Sequence, residues 1–234
     1  PAAREILKAA GTDIDLGDDN FSFMSMREGH ISGLPARIYR ISFTGELSYE
    51  INVPARYGMA LWTSLMRAGK NFGITPYGTE AMHVLRAEKG FIIVGQETDG
   101  TVTPYDLGMG WIVSDKKPDF IGKRALARQS MGLGDRKQLV GLRTKDPKQI
   151  IPEGAHAVLD PNQPPPVDML GHVTSSYFSP NLGHSIAMAL LRGGHARKGE
   201  TVYFPMLDGK PPIEATITDT NFYDPKGERL NGQH

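Results

Sequence analysis

Six short apolar runs follow one another in the second half of the sequence, and they constrain the fold more than any other feature. They are QLVGLRT, HAVLD, MLGHVTSSYFS, SIAMALL, ETVYFPML and PIEATITD, which lie between residues 138 and 219. Turn-forming residues separate them, and each run has the length of a strand rather than of a helix. This spacing predicts a small all-β barrel or sandwich.

The first half of the chain has a mixed pattern. Three helices are predicted, over residues 2–11, 57–73 and 79–90, and each of them ends at a glycine. Strands are predicted at residues 21–29 and on both sides of a turn at Thr44–Glu46. Strands joined by hairpins, with helices around them, indicate an α+β fold with an antiparallel sheet.

The segment between these halves is predicted as a loop, a strand at Gly110–Val113 and a helix at Ile121–Gln129. It is followed by MGLGDRK (Met131–Lys137), a flexible junction in which three positions favour turns. We therefore predict two domains, an α+β domain at residues 1–131 and a β-barrel domain at residues 132–234. The proline-rich DPNQPPPVD (residues 160–168) is predicted as a surface loop.

Composition excludes several classes of function. Of the 234 residues, 39% are apolar and 22% are charged, which is typical of a folded, soluble protein. The formal net charge of zero favours neither nucleic acid nor an anionic membrane as a partner. The absence of cysteine excludes disulfides, thiol nucleophiles and zinc-thiolate sites. Because the chain opens on Pro1 and runs straight into a helix, we expect it to be a piece of a longer protein.

The motifs that would indicate a metal site or a nucleophile are missing. His156, His172, His184 and His195 are scattered, without an HxxxH pair or a matching carboxylate spacing. They are interpreted as ordinary surface or strand histidines. The glycines of GGHARKGE lack the strand and helix of a phosphate loop, and the paired serines at 175 and 176 lack the GxSxG pattern.

One glutamate stands out. Ala81, Leu85 and Glu88 lie at i, i+4 and i+7 of the predicted helix TEAMHVLRAEKGF and therefore share a face. Glu88 also lies near the C-terminus of that helix, where the backbone dipole disfavours a negative charge. Either the helix end frays and the carboxylate faces water, or the carboxylate is a partly buried acceptor for donors from a ligand.

Several separated blocks, in the same order, resemble the folate-binding aminomethyltransferase family, the T-protein of the glycine cleavage system. They are ISFTGELSYEINVPA, LRAEKGFIIVGQETDGTVTPYDLGMGW, DFIGKRAL, KQLVGL, GHVTSSYFSPNLGHSIAMALL and GETVYF. The resemblance covers most of the chain. It implies an α+β folate-binding domain followed by a C-terminal β-barrel.

Within that family, SYEINV, DGTVTPYDLGMGW, KKPDFIGKRAL and NFYDPKGERLNG most resemble the C-terminal part of the alpha subunits of heterotetrameric sarcosine oxidases. The resemblance implies a cytoplasmic enzyme in which sarcosine is oxidised at a flavin elsewhere. The one-carbon unit is then captured here on tetrahydrofolate as 5,10-methylenetetrahydrofolate. The other subunits are the implied partners, and FAD, FMN and NAD are expected only in the rest of the enzyme.

Two alternatives stay open at this point. The chain could belong to a folate-dependent aminomethyltransferase or demethylase that acts on another methylated amine. It could instead be a non-catalytic module that docks a partner subunit.

The same resemblance assigns site residues. It implies that Glu88 grips the pterin ring, whose ring N–H and exocyclic amine form a two-donor edge. Lys117, or its neighbour Lys116, stands where other members often carry an arginine that positions folate, and Tyr223 is a further candidate contact. The catalytic aspartate of the family lies in a segment before Pro1, so the chain alone is expected to be inactive. Asp106 is interpreted as structural.

Overall fold

A computed structural model describes residues 2–232 of the chain. Backbone contacts divide the described chain into two compact units. The first contains the residues up to Met82 together with those from Asp224 onward, and the second is His83–Tyr223. In the part of the chain that the structure describes, each helix is too short or too polar to cross a lipid bilayer.

The first unit is a small sheet with helices. Its elements are α1 (Ala3–Ala10), β1 (Met26–Ile31), β2 (Leu34–Tyr39), β3 (Glu50–Asn52) and α2 (Gly58–Gly69). The three strands form an antiparallel sheet in the order β1-β2-β3. Its buried core consists of Leu7, Leu16, Phe21, Ile31, Ala36, Ile38 and Leu61. Helices and strands thus bury one shared set of apolar side chains, as the α+β prediction required.

The first predicted strand begins later than expected. Strand β1 starts at Met26, whereas the preceding residues 21–25 form turns. The reason is that Phe21 is fully buried in the core of this unit and Met24 has a positive φ of 65°, which breaks an extended strand. The predicted antiparallel pairing on both sides of Thr44–Glu46 is confirmed, but the strands are shorter than predicted, because β2 ends at Tyr39 and β3 begins at Glu50.

Two predictions for the middle segment are wrong. Gly110–Ile112 is a 3₁₀ turn rather than a strand, because the N–H of Ile112 and of Val113 bond to carbonyls three residues back. The predicted helix at Ile121–Gln129 shrinks to α4 (Lys123–Leu126). Gly122 before α4 has a left-handed φ of 98°, and Arg128 after it is extended, so the helix cannot grow in either direction.

The second unit is dominated by a six-stranded antiparallel sheet. Its strands are β4 (Lys137–Thr144), β5 (His156–Ala157), β6 (Gly171–Ser179), β7 (His184–Arg192), β8 (Thr201–Phe204) and β9 (Ile213–Thr218). The order is β5-β6-β7-β4-β9-β8. Val158, next to β5, and Tyr203, in β8, exchange both backbone hydrogen bonds at 2.9 Å and join the two edges. The sheet is therefore a nearly closed barrel, and each of the six predicted runs overlaps one of its strands.

Strand β7 shows why its sequence reads as a continuous apolar run. Its alternate residues Ala187, Ala189 and Leu191 lie in the core inside the barrel. The residues between them, Ile186, Met188 and Leu190, lie in a second core on the other face, which includes Ala87, Ile92 and Phe222. A strand buried on both faces carries no polar alternation. The second core brings the helix α3 (Thr79–Glu88) against the barrel through its last turn.

The observed architecture is α+β with antiparallel sheets, helices and a C-terminal barrel, as predicted. The domain boundary between residues 131 and 132 stays a prediction. Helix α3 starts at the predicted Thr79 and ends at Glu88, two residues before the predicted end at Gly90, and burial does not follow the predicted stripe. Ala81 is exposed, whereas Arg86, Ala87 and Glu88 are all buried. The last residues of the helix are therefore buried, whereas its first residues are exposed.

Candidate functional site

Helix α3 ends in a defined capping motif. The N–H of Gly90 bonds to the carbonyl of Ala87 at 3.0 Å, and the N–H of Phe91 bonds to the carbonyl of Arg86 at 2.9 Å. These two bonds make a Schellman motif, in which Gly90 adopts a left-handed φ of 69°. The motif satisfies two carbonyls of the last turn, so the helix end does not fray.

Glu88 is a buried acceptor. Its residue is only 1% exposed, which rules out the interpretation of a carboxylate facing water. The Ser179 hydroxyl donates to Oε1 at 2.6 Å, and the Asn181 amide nitrogen donates to Oε2 at 2.8 Å. Ser179 is the last residue of β6, and Asn181 lies in the turn to β7. Each carboxylate oxygen of Glu88 is thus held by a neutral donor of the barrel.

The position of Glu88 at the negative end of α3 is compensated by nearby basic residues. Arg86 lies in the last turn and Lys89 directly follows it, and both are buried. Positive charges near a helix C-terminus interact favourably with the backbone dipole. The helix end therefore carries one carboxylate beside two cations, one of which, Arg86, also pairs with a second carboxylate, Glu97.

The backbone of Glu88 holds a second segment. Its carbonyl oxygen accepts hydrogen bonds from the N–H of Phe222 and of Tyr223, both at 2.9 Å. Tyr223, the candidate folate contact, is half-buried and thus lies next to Glu88 through the backbone. Two of the sequence-predicted site residues are therefore brought together by the end of α3 and the chain that leaves β9.

A buried ion pair lies in the same helix turn. Arg86 and Glu97 are both 0% exposed, and Arg86 Nη1 donates to Glu97 Oε2 at 3.0 Å. The Ser175 hydroxyl in β6 joins them, because it accepts from Arg86 Nη2 at 2.5 Å and donates to Glu97 Oε1 at 2.5 Å. This triad anchors α3 to the barrel, and its Arg86 lies two residues before Glu88 in the helix.

The triad also organises the loop after α3. The carbonyl of Phe91 accepts from Arg86 Nη1 at 3.0 Å, and the N–H of Ile93 donates to Glu97 Oε2 at 2.8 Å. Sequence reasoning missed the triad, because Arg86 and Ser175 are 89 residues apart and no local motif joins them. The one available signal was a cation and a carboxylate within an apolar stretch.

Asp106 has the structural role that the sequence predicted. Arg136 donates to both of its carboxylate oxygens, with contacts of 2.8–3.1 Å, and Thr103 donates its N–H and its hydroxyl. Burial alone would raise the pKa of Asp106, but the hydrogen bonds from Arg136 and Thr103 outweigh it and hold the pKa below its usual value. This cluster fixes the loop before the 3₁₀ turn to the start of the barrel.

We expect Asp106→Asn to lower the free energy of unfolding by about 1.5–3 kcal/mol at pH 7, because it removes hydrogen bonds to a charged group. A lowered folded-state pKa stabilises the protein above the unfolded pKa of about 3.9, and this contribution is lost as the pH falls through the folded pKa. The difference between wild type and variant should therefore shrink below about pH 4. Urea unfolding from pH 7 to pH 2 measures it, and a constant difference would contradict the assignment.

Lys117 lies in a different loop. Its side chain is exposed, and its carbonyl oxygen accepts a hydrogen bond from Lys123 Nζ at 2.6 Å. The neighbouring Lys116 is exposed as well. The structure thus gives Lys117 a surface position within the second unit, and its contact with folate stays a prediction.

His156, His172, His184 and His195 are distributed over the barrel. His156 and His172 face each other across β5 and β6, with ring centroids 6.5 Å apart. Burial lowers the pKa of His172, and the nearby positive charge of Lys137 adds to this effect. Among residues 2–232, no three or more histidine, aspartate or glutamate side chains come together in a way that could hold a metal ion.

The fold and the site place the chain in a protein family. The GCVT N-terminal domain family matches residues 1–117, and the glycine cleavage T-protein C-terminal barrel domain family matches residues 137–224. The chain belongs to the glycine cleavage T-protein family. The second match spans all six strands of the barrel, and the first contains α3 and Glu88.

Within this family, the chain is similar to two kinds of protein. It is 46% identical over 235 residues to a sarcosine oxidase subunit alpha from Corynebacterium sp. (strain P-1). The aligned region covers 99% of this chain and 24% of that subunit. It is 42% identical over 241 residues to the corresponding subunit of Rhizobium meliloti. The chain thus spans about a quarter of the length of these subunits.

The second kind is a separate enzyme. An aminomethyltransferase from Caldanaerobacter subterraneus is 34% identical over 223 residues, which is 95% of this chain and 56% of that protein. A crystal structure of the glycine cleavage system aminomethyltransferase T from Bartonella henselae superposes with a TM-score of 0.77 at 25% identity. The superposed region covers 94% of this chain and 56% of the chain in that structure.

Proposed function

We propose that this chain binds tetrahydrofolate through Glu88 and is the folate-binding part of a sarcosine oxidase. In that enzyme it would capture the one-carbon unit released from sarcosine as 5,10-methylenetetrahydrofolate. Support comes from the 46% identity to a sarcosine oxidase subunit alpha along 99% of the chain. The remaining subunits of such an enzyme, and a cytoplasmic location, are part of the same proposal.

The observation that carries this proposal is the buried carboxylate of Glu88. A carboxylate offers about four lone-pair positions. Ser179 and Asn181 use two of them, one on each oxygen. The carboxylate therefore has capacity for two further donors on the same group, which is the number that the edge of a pterin presents.

The chemistry of the two groups is complementary. A pterin edge carries a ring N–H beside an exocyclic amine, and an ionised carboxylate accepts both side by side. Hydrogen bonds to an ionised acceptor are shorter and about twice as strong as those between neutral groups. The negative charge of Glu88 at the buried helix end would therefore be stabilised more by this ligand than by water.

The roles of the other candidates follow from where they lie. Tyr223 would contact the ligand next to Glu88, since its backbone is bonded to the Glu88 carbonyl. Lys117 would act as a point charge from an exposed loop, without the planar geometry of arginine. We assign no acid–base role to any residue of this chain.

We expect Glu88→Gln to weaken tetrahydrofolate binding at least tenfold, which corresponds to about 1.4 kcal/mol. The amide keeps the shape of the side chain, and the Ser179 hydroxyl can accept from its nitrogen while Asn181 donates to its oxygen. The fold should therefore survive, but the charge is lost and one polar end opposes a ligand donor. Calorimetric titration of the complete protein measures the change.

The product of the reaction provides an independent check on Glu88→Gln. Oxidation of sarcosine at the distant flavin should continue, with free formaldehyde released in place of 5,10-methylenetetrahydrofolate. Equal affinities of wild type and variant for tetrahydrofolate would show that Glu88 does not bind the ligand. Asn162→Ala, in the exposed proline-rich loop, is a suitable control because this side chain is exposed and is not one of the donors to Glu88.

A second function is favoured by the similarity to an aminomethyltransferase at 34% identity. The chain would then serve a folate-dependent aminomethyltransferase or demethylase that acts on another methylated amine. Assaying the complete protein with sarcosine and with other N-methylated amines distinguishes the two. A protein that assembles but binds no folate would instead support a docking module.

A further inference from the structure

The two donors that hold Glu88 differ in how firmly they are fixed. We propose that Asn181 is a displaceable donor that covers Oε2 until a ligand N–H takes its place, whereas Ser179 permanently positions the carboxylate. This inference rests on the proposed function, since it concerns how tetrahydrofolate would reach Glu88.

Burial shows that something must move. Glu88 is 1% exposed, so a ligand cannot contact its oxygens in the arrangement that the structure shows. The carboxylate has enough remaining lone pairs to accept two ligand donors, but these lone pairs are not accessible from solvent. One of the groups that cover Glu88 must therefore leave when the ligand arrives.

Ser179 is fixed by its surroundings. It is 0% exposed and is the last residue of β6, where it pairs with His184 across the hairpin. Its hydroxyl also accepts the N–H of Leu182 at 3.1 Å while it donates to Glu88 Oε1. Moving Ser179 would break the end of the β6–β7 pair. Ser179 therefore stays in place and orients the carboxylate.

Asn181 is the movable group. It is an exposed residue outside both strands, on the turn at residues 180–183 in which Gly183 has a left-handed φ of 61°. Its amide reaches inward to Glu88 Oε2 from the solvent side. Rotation about its side-chain bonds would withdraw this amide without changing the backbone of either strand.

The exchange matches donor with donor. The Asn181 amide is a neutral N–H donor, and so are the ring N–H and amine of a pterin. When one replaces the other, Oε2 keeps a hydrogen bond throughout and the buried charge is never left unsatisfied. A ligand that presents an N–H to Oε2 can complete this exchange, so Asn181 would disfavour ligands that lack such a donor.

The variants Asn181→Ala and Ser179→Ala should change binding in opposite directions. Without the competing amide, Asn181→Ala should bind tetrahydrofolate about three- to tenfold more tightly and associate faster, the upper value corresponding to about 1.4 kcal/mol. Ser179→Ala should bind at least about tenfold more weakly, because the carboxylate loses its orientation and a bond to a charged group. Asn162→Ala, in an exposed loop, should behave like wild type.

The measurements are calorimetric titration and stopped-flow association of tetrahydrofolate with the complete protein. Circular dichroism and urea unfolding establish that each variant is folded. A weaker or slower Asn181→Ala variant would overturn the displacement, because it would make Asn181 a residue that supports bound ligand. Unchanged binding in Ser179→Ala would overturn the positioning role. If wild type itself binds no tetrahydrofolate, the proposed function fails first, and this outcome is distinct from both.

Discussion

Replacing Glu97 by glutamine should lower the free energy of unfolding by about 3–5 kcal/mol, the cost of leaving a buried charge without its partner. Arg86 and Glu97 are both 0% exposed, and Glu97 Oε2 is 3.0 Å from Arg86 Nη1. Glutamine keeps the shape of the side chain, but its amide nitrogen cannot accept a hydrogen bond, so the loss reports the missing charge together with one missing acceptor. Urea titration followed by circular dichroism measures it.

The matched control is the same substitution at an exposed pair. Arg197 and Glu200 form an ion pair of 2.8 Å in which the side chains are 28% and 46% exposed. Glu200→Gln should change the free energy of unfolding by at most about 1 kcal/mol, as is usual for surface ion pairs. Equal effects at positions 97 and 200 would show that the buried triad contributes no more to stability than a surface contact.

Gly141→Ala should destabilise the barrel by about 3 kcal/mol, at the upper end of the range for an overpacked core. Gly141 lies in β4 between Met188 of β7 and Thr218 of β9. A Cβ at this position would lie 2.1 Å from the carbonyl oxygen of Asp219 and 2.8 Å from the ring of Phe222. Both neighbours belong to the segment that leaves β9, so the clash forces that segment away from β4.

Gly134→Ala is the control for this substitution. Gly134 is exposed, and an added Cβ would meet nothing within 4 Å. Its effect on the free energy of unfolding should be within about 1 kcal/mol, because the change acts mainly on the entropy of the unfolded chain. A Gly141→Ala variant as stable as Gly134→Ala would show that the chain after β9 can shift without loss.

Local patterns of the sequence predicted most of the fold. Each of the six apolar runs overlaps one barrel strand. Helix α3 starts at the predicted residue and ends two residues before Gly90, which provides a cap that glycine alone adopts at low cost. The errors fall where local pattern conflicts with backbone geometry. The apolar residues after Gly110 lie in a 3₁₀ turn, and the left-handed Gly122 prevents the predicted helix from starting at Ile121.

The site was less accessible to sequence reasoning. Position within α3 identified Glu88 as unusual, but its burial depends on Ser179 and Asn181, which are 91 and 93 residues away. Donors this distant carry no local signal, since each of them reads as an ordinary turn or strand residue. Only the folded barrel decides between a solvated carboxylate and a buried one.

Two glycines set the path of the chain between β9 and Tyr223. An added Cβ at Gly90 would lie 2.6 Å from the Thr220 carbonyl oxygen, and one at Gly141 would lie 2.1 Å from that of Asp219. Beyond these contacts, the N–H of Tyr223 reaches the Glu88 carbonyl. This irregular segment is therefore a spacer of fixed length: inserting or deleting one residue, about 3.5 Å of chain, would move the N–H of Tyr223 away from the Glu88 carbonyl that it reaches.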